Sequence, residues 1–334
     1  MLRYLPILLL LCFSRMAFAQ VSAQQVAIIV NTQDRDSRLT ANYYQQKRGI
    51  PAQNIIEVNL PVGKNSISEQ QFNSILQQVR QQTPTPVQYY ALAWSKPFKV
   101  SCMSITSAFA FGFDKSYCAQ GCNRTKLSAY YNSDSVLPAD DLKIFPTMML
   151  AGSSLQQVYA MIDRGVVSDF SKPDATAYLM NTSDKARNVR SRRYEVIKEL
   201  LADNIKIEQV DGDVLKDKKD VMFYFTGLVK VKAIDSNQYF PGAIADHLTS
   251  SGGNLFGSRQ MSILRWLDAG ATASYGTVVE PCAFTQKFPN PGIVIERYTN
   301  GESLIQAYWK SVAWPGQGVF VGELMAAPYA QSVH

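Results

Sequence analysis

The sequence predicts an α/β protein with a mostly parallel, doubly wound sheet that is flanked by helices. Two observations lead to this prediction. Short apolar runs of strand length alternate with longer amphipathic segments, and this alternation favours parallel strands joined by crossover helices. Apolar residues make up 46% of the chain and charged residues 18%, which is typical of a globular protein and excludes a disordered one.

The first part of the chain shows the alternation most clearly. Residues 26–30 (VAIIV) form an apolar run typical of a buried parallel strand. Residues 39–48 contain helix formers and are followed by Gly49 and Pro51, which end a helix. Residues 68–82 place apolar side chains at helical spacing and begin with a capping serine. Further strands are predicted over residues 55–58 and 87–94.

The later part of the chain repeats this pattern after an irregular, cysteine-containing stretch over residues 99–142. A loop of that length in a compact domain is usually functional or cross-linked. Pro241 and Gly242 predict the start of a short helix that carries His247. Strands are predicted over residues 147–150, 175–180, 205–210, 221–225 and 271–275, and helices over residues 154–164, 184–203 and 258–269. We therefore expect two α/β halves, residues 20–203 and 204–334, after an N-terminal segment of residues 1–19.

Residues 1–19 have the three parts of a secretory signal peptide. Arg3 supplies the positive charge, residues 6–13 form the apolar stretch, and Ala17 and Ala19 form the small-residue cleavage site. The apolar stretch is shorter than the ~18 residues that a membrane-spanning helix needs, and no later segment reaches that length. We expect a protein that is exported by a cleaved signal, is periplasmic or extracellular, and has no membrane span.

Removal of this segment leaves four cysteines, namely Cys102, Cys118, Cys122 and Cys282. An even number of cysteines in an oxidising compartment favours disulfide bonds, and four cysteines allow three pairings. Three of them lie close together in the sequence, whereas Cys282 is distant. The sequence leaves open whether Cys282 forms a disulfide or acts as a nucleophile.

The charged residues indicate neither nucleic acid nor metal as a partner. The net charge of +6 is mild, and the densest basic run, residues 185–193 (KARNVRSRR), is typical of a solvated helix face. No interleaved aromatic residues support nucleic-acid binding. The chain has only two histidines, His247 and His334, and no Cys-x-x-Cys pair, so no metal site is predicted. No motif indicates a cofactor, and the oligomeric state is left open.

Four blocks of sequence resemble those of an uncharacterised family of exported bacterial proteins. They are KRGIP (residues 47–51), PGAIADHLTSSGG (241–253), SYGTVVEPC (274–282) and AYWKSVAWPGQGVFVGE (307–323). Together they extend over nearly the whole chain after the signal segment. The resemblance implies an exported protein, but it implies no chemistry because no activity is established for that family.

The order of strands and helices also resembles the gingipain-type cysteine peptidases, whose caspase-like domain is a parallel sheet flanked by helices. In those peptidases one strand ends in Thr-Gly-His-Gly, which supplies the catalytic histidine, and a later strand ends in the catalytic cysteine. Here Thr226 and Gly227 match, but Leu228 and Val229 follow them. The later strand, taken as residues 272–276, has no cysteine at its tip. The resemblance therefore implies a peptidase-like fold without the peptidase dyad.

A cysteine hydrolase built from other residues is the first alternative. Cys282 and His247 are both expected at the carboxyl edge of the sheet, where ligands bind in open α/β folds. A thiol–imidazole pair at that edge, with Asp246 or Glu280 orienting the ring, has the arrangement of a hydrolase. The candidates for an oxyanion site are the backbone N–H groups of Gly252, Gly253 and Gly276.

The preferred interpretation is a secreted gingipain-like protein that binds a peptide or a glycan at the carboxyl edge. Tryptophan offers a large face for stacking, and we expect Trp309 to pack in the core and Trp314, beside a turn, to face solvent. The binding candidates lie near that edge or in the aromatic C-terminal block, and they are Tyr275, Gly276, Thr277, Gly252, Gly253, Lys310 and Trp314. A structural component of the cell envelope is the second alternative.

Overall fold

The computed structural model describes residues 20–119, 122–257 and 259–332. The predicted signal segment and His334 lie outside these residues. Thirteen strands occur among the described residues, namely β1 (Val26–Asn31), β2 (Ile55–Val58), β3 (Ser66–Ile67), β4 (Tyr89–Leu92), β5 (Lys99–Val100), β6 (Met103–Ser104), β7 (Thr147–Met149), β8 (Thr176–Asn181), β9 (Lys206–Asp211), β10 (Val221–Thr226), β11 (Tyr239–His247), β12 (Ala273–Thr277) and β13 (Gly318–Gly322).

The helices of the same residues cover both faces of the main sheet. They are α1 (Arg35–Arg48), α2 (Glu69–Gln82), α3 (Ile105–Phe111), α4 (Pro138–Leu142), α5 (Leu155–Ser168), α6 (Tyr194–Leu200), α7 (Leu264–Asp268), α8 (Pro291–Thr299) and α9 (Leu304–Lys310). None of these helices is long and apolar enough to cross a membrane.

Ten strands form one sheet in the order β2-β1-β4-β7-β13-β12-β11-β10-β8-β9. The first five in this order, the first strand group, run parallel to one another. The last five, the second strand group, are also mutually parallel. The two groups meet where β12 and β13 pair antiparallel, with Tyr275 opposite Phe320. The predicted fold, a mostly parallel sheet flanked by helices, is confirmed, and the carboxyl ends of the two groups lie at opposite edges of the sheet.

The two strand groups do not coincide with the two expected sequence halves. β8 precedes residue 203 but pairs with β9 and β10 in the second group. β13 is the last strand of the chain but pairs with β7 in the first group. Strand pairing depends on contacts between residues that are far apart in the sequence. The sequence pattern therefore predicts the positions of strands better than it predicts which strands become neighbours.

Local signals explain why the early helices begin and end where they do. The Asp34 carboxylate accepts a hydrogen bond from the backbone N–H of Asp36 and so caps α1. Gly49 ends α1 in the left-handed conformation, with a φ of 63° that costs glycine little. Ser68 and Gln71 form a capping box at the start of α2. Both helices were predicted from the sequence.

The prediction that a short helix carries His247 is wrong. Residues 239–247 form β11, which lies between β10 and β12 and is buried from Gly242 onward. The ladder between β10 and β11 shifts register between Val221 and Phe223. Pro241 lies within that irregular part, where the lack of a backbone N–H does least harm. Burial on both faces of the sheet overrides the local Pro-Gly signal.

Two long predicted helices are shorter than expected. Residues 184–203 contain a 3₁₀ segment, Asn188–Arg193, and only then α6. Within residues 258–269 the α-helix is limited to α7. Among the described residues, the stretch 99–142, expected to be irregular, contains four short elements and α3, which packs against β13 and β7. Ser104 caps α3 by accepting from the backbone N–H of Ser107.

A buried ionic contact links two of the sequence blocks. Arg48, at the end of α1, donates from Nε to Glu323 Oε1 (3.0 Å), and it also forms an ion pair with Asp169. Glu323 is fully buried and follows β13 directly. The contact joins residues that are 275 positions apart, so KRGIP and the end of AYWKSVAWPGQGVFVGE have a structural role together.

Candidate functional site

The carboxyl ends of β8, β10, β11 and β12 form the edge at which the sequence analysis places the functional residues. Two cavities lie there. The larger, of about 480 Å³, is called the arginine groove. One wall is made by the 3₁₀ segment Asn188–Arg193 with Ile197, the other by residues 283–291, and Tyr131, Ser311 and Ala313 close it. The smaller, the tip cavity of about 160 Å³, lies between Arg187, residues 248–250 and residues 280–283.

A buried ion pair lies beneath the lining of the arginine groove. Arg190 lines the groove, and its Nη2 lies 2.6 Å from Asp246 Oδ1 on β11. The same nitrogen donates to the carbonyl of Thr226 (2.7 Å), and Nη1 donates to the carbonyl of Pro289 (3.3 Å). Both side chains are almost fully buried, and burial raises the pKa of Asp246 although the Arg190 charge opposes this. The pair ties the 3₁₀ segment to two strand tips and to the opposite wall.

The tip of β10 is closed by backbone. A side-chain carbon added to Gly227 would lie 2.1 Å from the carbonyl oxygen of Arg187, so only glycine fits there. The Thr182 hydroxyl donates to the Gly227 carbonyl (2.8 Å). Leu228, at the position that corresponds to histidine in the Thr-Gly-His-Gly pattern, packs against the small apolar cluster around Tyr224. Its side chain therefore serves the core beside this strand tip.

His247 is held as a neutral, structural residue. Trp266 donates from Nε1 to His247 Nδ1 (3.0 Å), so the ring proton is on Nε2, which donates to the carbonyl of Met261 (3.0 Å). The side chain is fully buried, and burial lowers its pKa to about 4. The expected base is thus engaged on both nitrogens and directed into the protein. β11, which ends at His247, lies next to β10 in the sheet, and the strand expected over residues 272–276 is β12, one position farther from β10.

Cys282 is bonded to Cys122, and Cys102 is bonded to Cys118. The Cys122–Cys282 bond joins positions 160 residues apart, with Cα atoms 5.1 Å from each other. Glu280 Oε1 accepts from the backbone N–H of Cys282 (2.7 Å) and has no contact with an imidazole among the described residues. The structure therefore does not form the proposed Cys282–His247 pair, because the thiol is consumed in a disulfide and the ring faces elsewhere.

The glycines proposed for an oxyanion site have structural roles instead. The Gly253 N–H donates to the Thr277 carbonyl (3.0 Å), and Gly276 lies in the β12–β13 ladder. A side-chain carbon on Gly276 would lie 2.5 Å from the Gly253 nitrogen, and the carbonyl of Gly252 accepts from Ile263. The three glycines allow two backbone segments to pack in direct contact, and the N–H group of Gly253 is not free for a ligand.

Most of the predicted binding side chains are buried. Tyr275 donates to the Lys287 carbonyl (2.6 Å), and Thr277 donates to the Ser250 carbonyl (3.1 Å). Lys310 donates to Glu302 (3.0 Å) in the interior. Trp314 is half-buried and packs edge-to-face on Phe284, a wall residue of the groove, at 5.7 Å between ring centroids. Trp309 is fully buried and donates to the carbonyl of Thr147, so its expected core position is confirmed.

The cysteine-rich stretch supports the wall of the groove formed by residues 283–291. Lys287, in this wall, is buried and donates from Nζ to the carbonyl of Asn123 (2.9 Å). Burial lowers the pKa of Lys287 to about 8. Together with the neighbouring Cys122–Cys282 bond, this contact anchors the wall to the 99–142 stretch. Cys282 and Ala283 both have positive φ, 56° and 52°, an unfavourable pair of conformations that these anchors hold in place.

Sequence reasoning missed the residues that dominate the groove. Arg192 and Arg193 are exposed at its rim, and Phe284 forms part of its wall. The signal was present in the basic run 185–193, which was interpreted as a solvated helix face. The spacing within a basic run does not reveal that Arg190 turns inward to Asp246 while its neighbours stay outside.

The comparisons with known proteins concern the fold. No protein-family model matches the chain, and no curated protein matches it either. The chain is similar to the structure described as the Arg-specific cysteine proteinase gingipain R (RGPB), with a TM-score of 0.55 and 11% sequence identity over 93% of this chain and 79% of that chain. A complex of RgpB pro- and mature domains from Porphyromonas gingivalis also matches, with a TM-score of 0.48 and 10% identity over 90% of this chain and 79% of that chain. At such identities the likeness concerns architecture alone, and the chain has a gingipain-like, caspase-type α/β fold.

Proposed function

We propose that this protein is an exported, non-catalytic member of the gingipain-like fold that binds a polypeptide in the arginine groove. One observation carries the proposal. An open cavity of about 480 Å³ adjoins the strand tips of the second group, and its lining includes Arg190, which is paired with the buried Asp246. This volume lies within the range of about 300–1,000 Å³ typical of ligand pockets. Two disulfides support export, since such bonds persist in oxidising compartments.

The chemistry of the edge favours binding over hydrolysis. A cysteine hydrolase needs a thiolate and a base that reaches it. Cys282 is in a disulfide, and the His247 ring donates and accepts within the interior. The hydrolase alternative therefore requires both reduction of the Cys122–Cys282 bond and release of the ring from Trp266 and Met261.

A polypeptide is a better ligand class than a glycan. The solved structure to which the fold is similar is named as a cysteine proteinase, an enzyme that acts on polypeptides. For a glycan, the expected stacking and hydrogen-bonding groups were Trp314 and Lys310. Lys310 is buried against Glu302, and Trp314 is half-buried and packs against Phe284.

The test is selection of peptides from a random display library by the folded, disulfide-bonded protein. We expect selected peptides to bind about tenfold more weakly to a Phe284→Ala variant, because a partly buried aromatic wall of the groove is lost. Phe256→Ala is the matched control, since Phe256 is an aromatic residue 45% exposed outside this groove. Mass spectrometry of the bound peptides should show no cleavage, with or without reductant.

Three results would count against the proposal. Cleavage that requires reductant and disappears in a His247→Ala variant would support the hydrolase. Equal affinity of Phe284→Ala and Phe256→Ala would move the binding site away from the groove. Failure to select any peptide, together with binding to a glycan array, would replace the polypeptide by a glycan.

A further inference from the structure

The charges around the arginine groove are unbalanced. Its lining contains three arginines and no acidic side chain. Arg190 is neutralised by Asp246, but Arg192 and Arg193 are exposed and take part in no ion pair or hydrogen bond among the described residues. The exposed carboxylate of Glu195, on the first turn of α6, is not within ion-pair distance of either. The groove therefore presents two uncompensated positive charges beside a cavity.

The 3₁₀ segment that carries Arg192 and Arg193 is held in place by contacts of its own buried residues. The Arg190 guanidinium forms an ion pair with Asp246 and donates hydrogen bonds to the carbonyls of Thr226 and Pro289, as described above. Asn188, at the start of the 3₁₀ segment, donates to the Asn181 side chain (2.6 Å) and accepts from the Thr182 N–H (3.1 Å). Arg192 and Arg193 thus project from a backbone segment that these contacts hold in place. A ligand then has to order the two side chains but not the segment, which reduces the conformational entropy lost on binding.

The lining also contains apolar side chains beside its polar ones. Ile197 and Phe288 are buried in the lining, and Val189 and Phe284 are half-buried in the two walls. An anion alone does not use this surface. A ligand that fits both features carries a negative group and, beside it, an apolar group of side-chain size.

We infer that the arginine groove recognises an acidic peptide, in which Arg192 and Arg193 bind the carboxylate of an Asp or Glu residue and the neighbouring apolar side chain enters the cavity. This inference rests on the proposed function and specifies its ligand. Guanidinium groups bind carboxylates through paired, charge-assisted hydrogen bonds. A polysaccharide with acidic groups satisfies the charges but lacks the apolar group, so a peptide is the better match to the whole lining.

The experiment uses an array of short peptides in which one Asp or Glu is flanked by Leu, Ile, Val or Phe. Each is paired with the same peptide carrying Asn or Gln instead. Affinities for the disulfide-bonded protein are measured by fluorescence anisotropy. We expect the acidic peptides to bind about tenfold or more tightly than their amide partners, since a hydrogen bond to a charged group is worth about 1.5–3 kcal/mol.

A double variant, Arg192→Gln with Arg193→Gln, should abolish the preference for the acidic member of each pair. The matched control is Lys216→Gln with Lys219→Gln, which changes the net charge equally. Both lysines are exposed and precede β10, at the opposite edge of the sheet. The control should keep the preference, and circular dichroism before each titration establishes that both variants are folded.

The outcomes separate this inference from the function on which it rests. If acidic and amide peptides bind equally, and Phe284→Ala still weakens both, the groove binds peptides and the acidic preference is wrong. If the lysine control loses the preference as the arginine variant does, the effect is one of net charge, and the inference is also wrong. If no peptide binds but dextran sulfate binds through Arg192 and Arg193, both the inference and the polypeptide proposal are overturned.

Discussion

The two carboxyl edges of the sheet use their polar side chains in different ways. At the first strand group, a cavity of about 300 Å³ follows β1, β4 and β7. Three of its polar side chains have local partners, since Asp34 caps α1, Ser154 caps α5, and Lys96 lies over the Phe256 ring at 4.3 Å. At the second group, a buried ion pair closes the strand tips and two exposed arginines have no partner among the described residues.

On the proposed function, the second edge is the one whose exposed side chains are available to a ligand. A side chain that caps a helix already has its partner, and its removal costs stability alone. An exposed cation without a partner contributes little to stability and is available to a ligand. The comparison therefore separates residues that maintain the fold from exposed residues that have no partner among the described residues. Three measurements test this separation.

The largest effect is expected from an Asp246→Ala variant. It leaves the Arg190 charge buried without its counter-ion, and breaking a buried pair from one side typically costs about 3–5 kcal/mol of unfolding free energy. The matched change at the first edge is Asp34→Ala, which removes a helix cap and should cost about 1 kcal/mol. Urea unfolding measures both. An Asp246→Ala variant no less stable than Asp34→Ala would mean that the Arg190–Asp246 pair does not hold this edge together.

A pH-dependent effect of intermediate size is expected from His247. Burial lowers its pKa to about 4 in the folded protein, whereas the unfolded chain titrates near the ordinary value of about 6.5. Because the unfolded state takes up the proton first, the contribution of His247 is complete above about pH 6.5 and is lost as the pH falls towards 4. The loss amounts to about 3 kcal/mol at most.

Comparing wild-type protein with His247→Gln at several pH values isolates this contribution, since Asp246 and the other acids titrate in both. Wild type should lose more stability than the variant between pH 7 and pH 4. Nuclear magnetic resonance should detect the ring as the neutral Nε2–H tautomer at pH 5.5. A ring that titrates near pH 6.5 would show that His247 is accessible, which would revive its role as a base.

The smallest effect is expected from the Arg192→Gln, Arg193→Gln variant in the absence of peptide. Neither side chain has a partner among the described residues, so the unfolding free energy should change by less than about 0.5 kcal/mol. The same urea titration measures it. A loss of several kcal/mol would assign the two arginines to the fold, and the contrast between the two edges would then disappear.

Sequence reasoning was most successful where the signal is local. The apolar runs at residues 26–30 and 221–225 predict β1 and β10, because a strand buried on both faces needs an unbroken apolar run. Sequence reasoning failed at β11, where Pro241 and Gly242 have the pattern of a helix start but lie in a strand. There the neighbouring strands β10 and β12 decide the conformation, and they are distant in the sequence.

The placing of the candidate site at the carboxyl edge stays a prediction. Two cavities adjoin that edge in the second strand group, and Cys282 and Glu280 line the smaller of them. The roles of individual side chains were not predictable. The burial of Tyr275, Thr277 and Lys310 depends on the segments that pack against them. These segments supply the carbonyls of Lys287 and Ser250 and the carboxylate of Glu302.

Sequence patterns were sufficient for the α/β class, for the parallel character of most strands and for the four cysteines after residue 19. These properties follow from residue type and periodicity, which act over a few neighbouring positions. The order of the strands, the pairing of Cys122 with Cys282 and the inward turn of Arg190 towards Asp246 became known only from the folded chain. Each of these depends on which distant segments come together, and that is a matter of total burial and hydrogen bonding in the folded chain, not of local pattern.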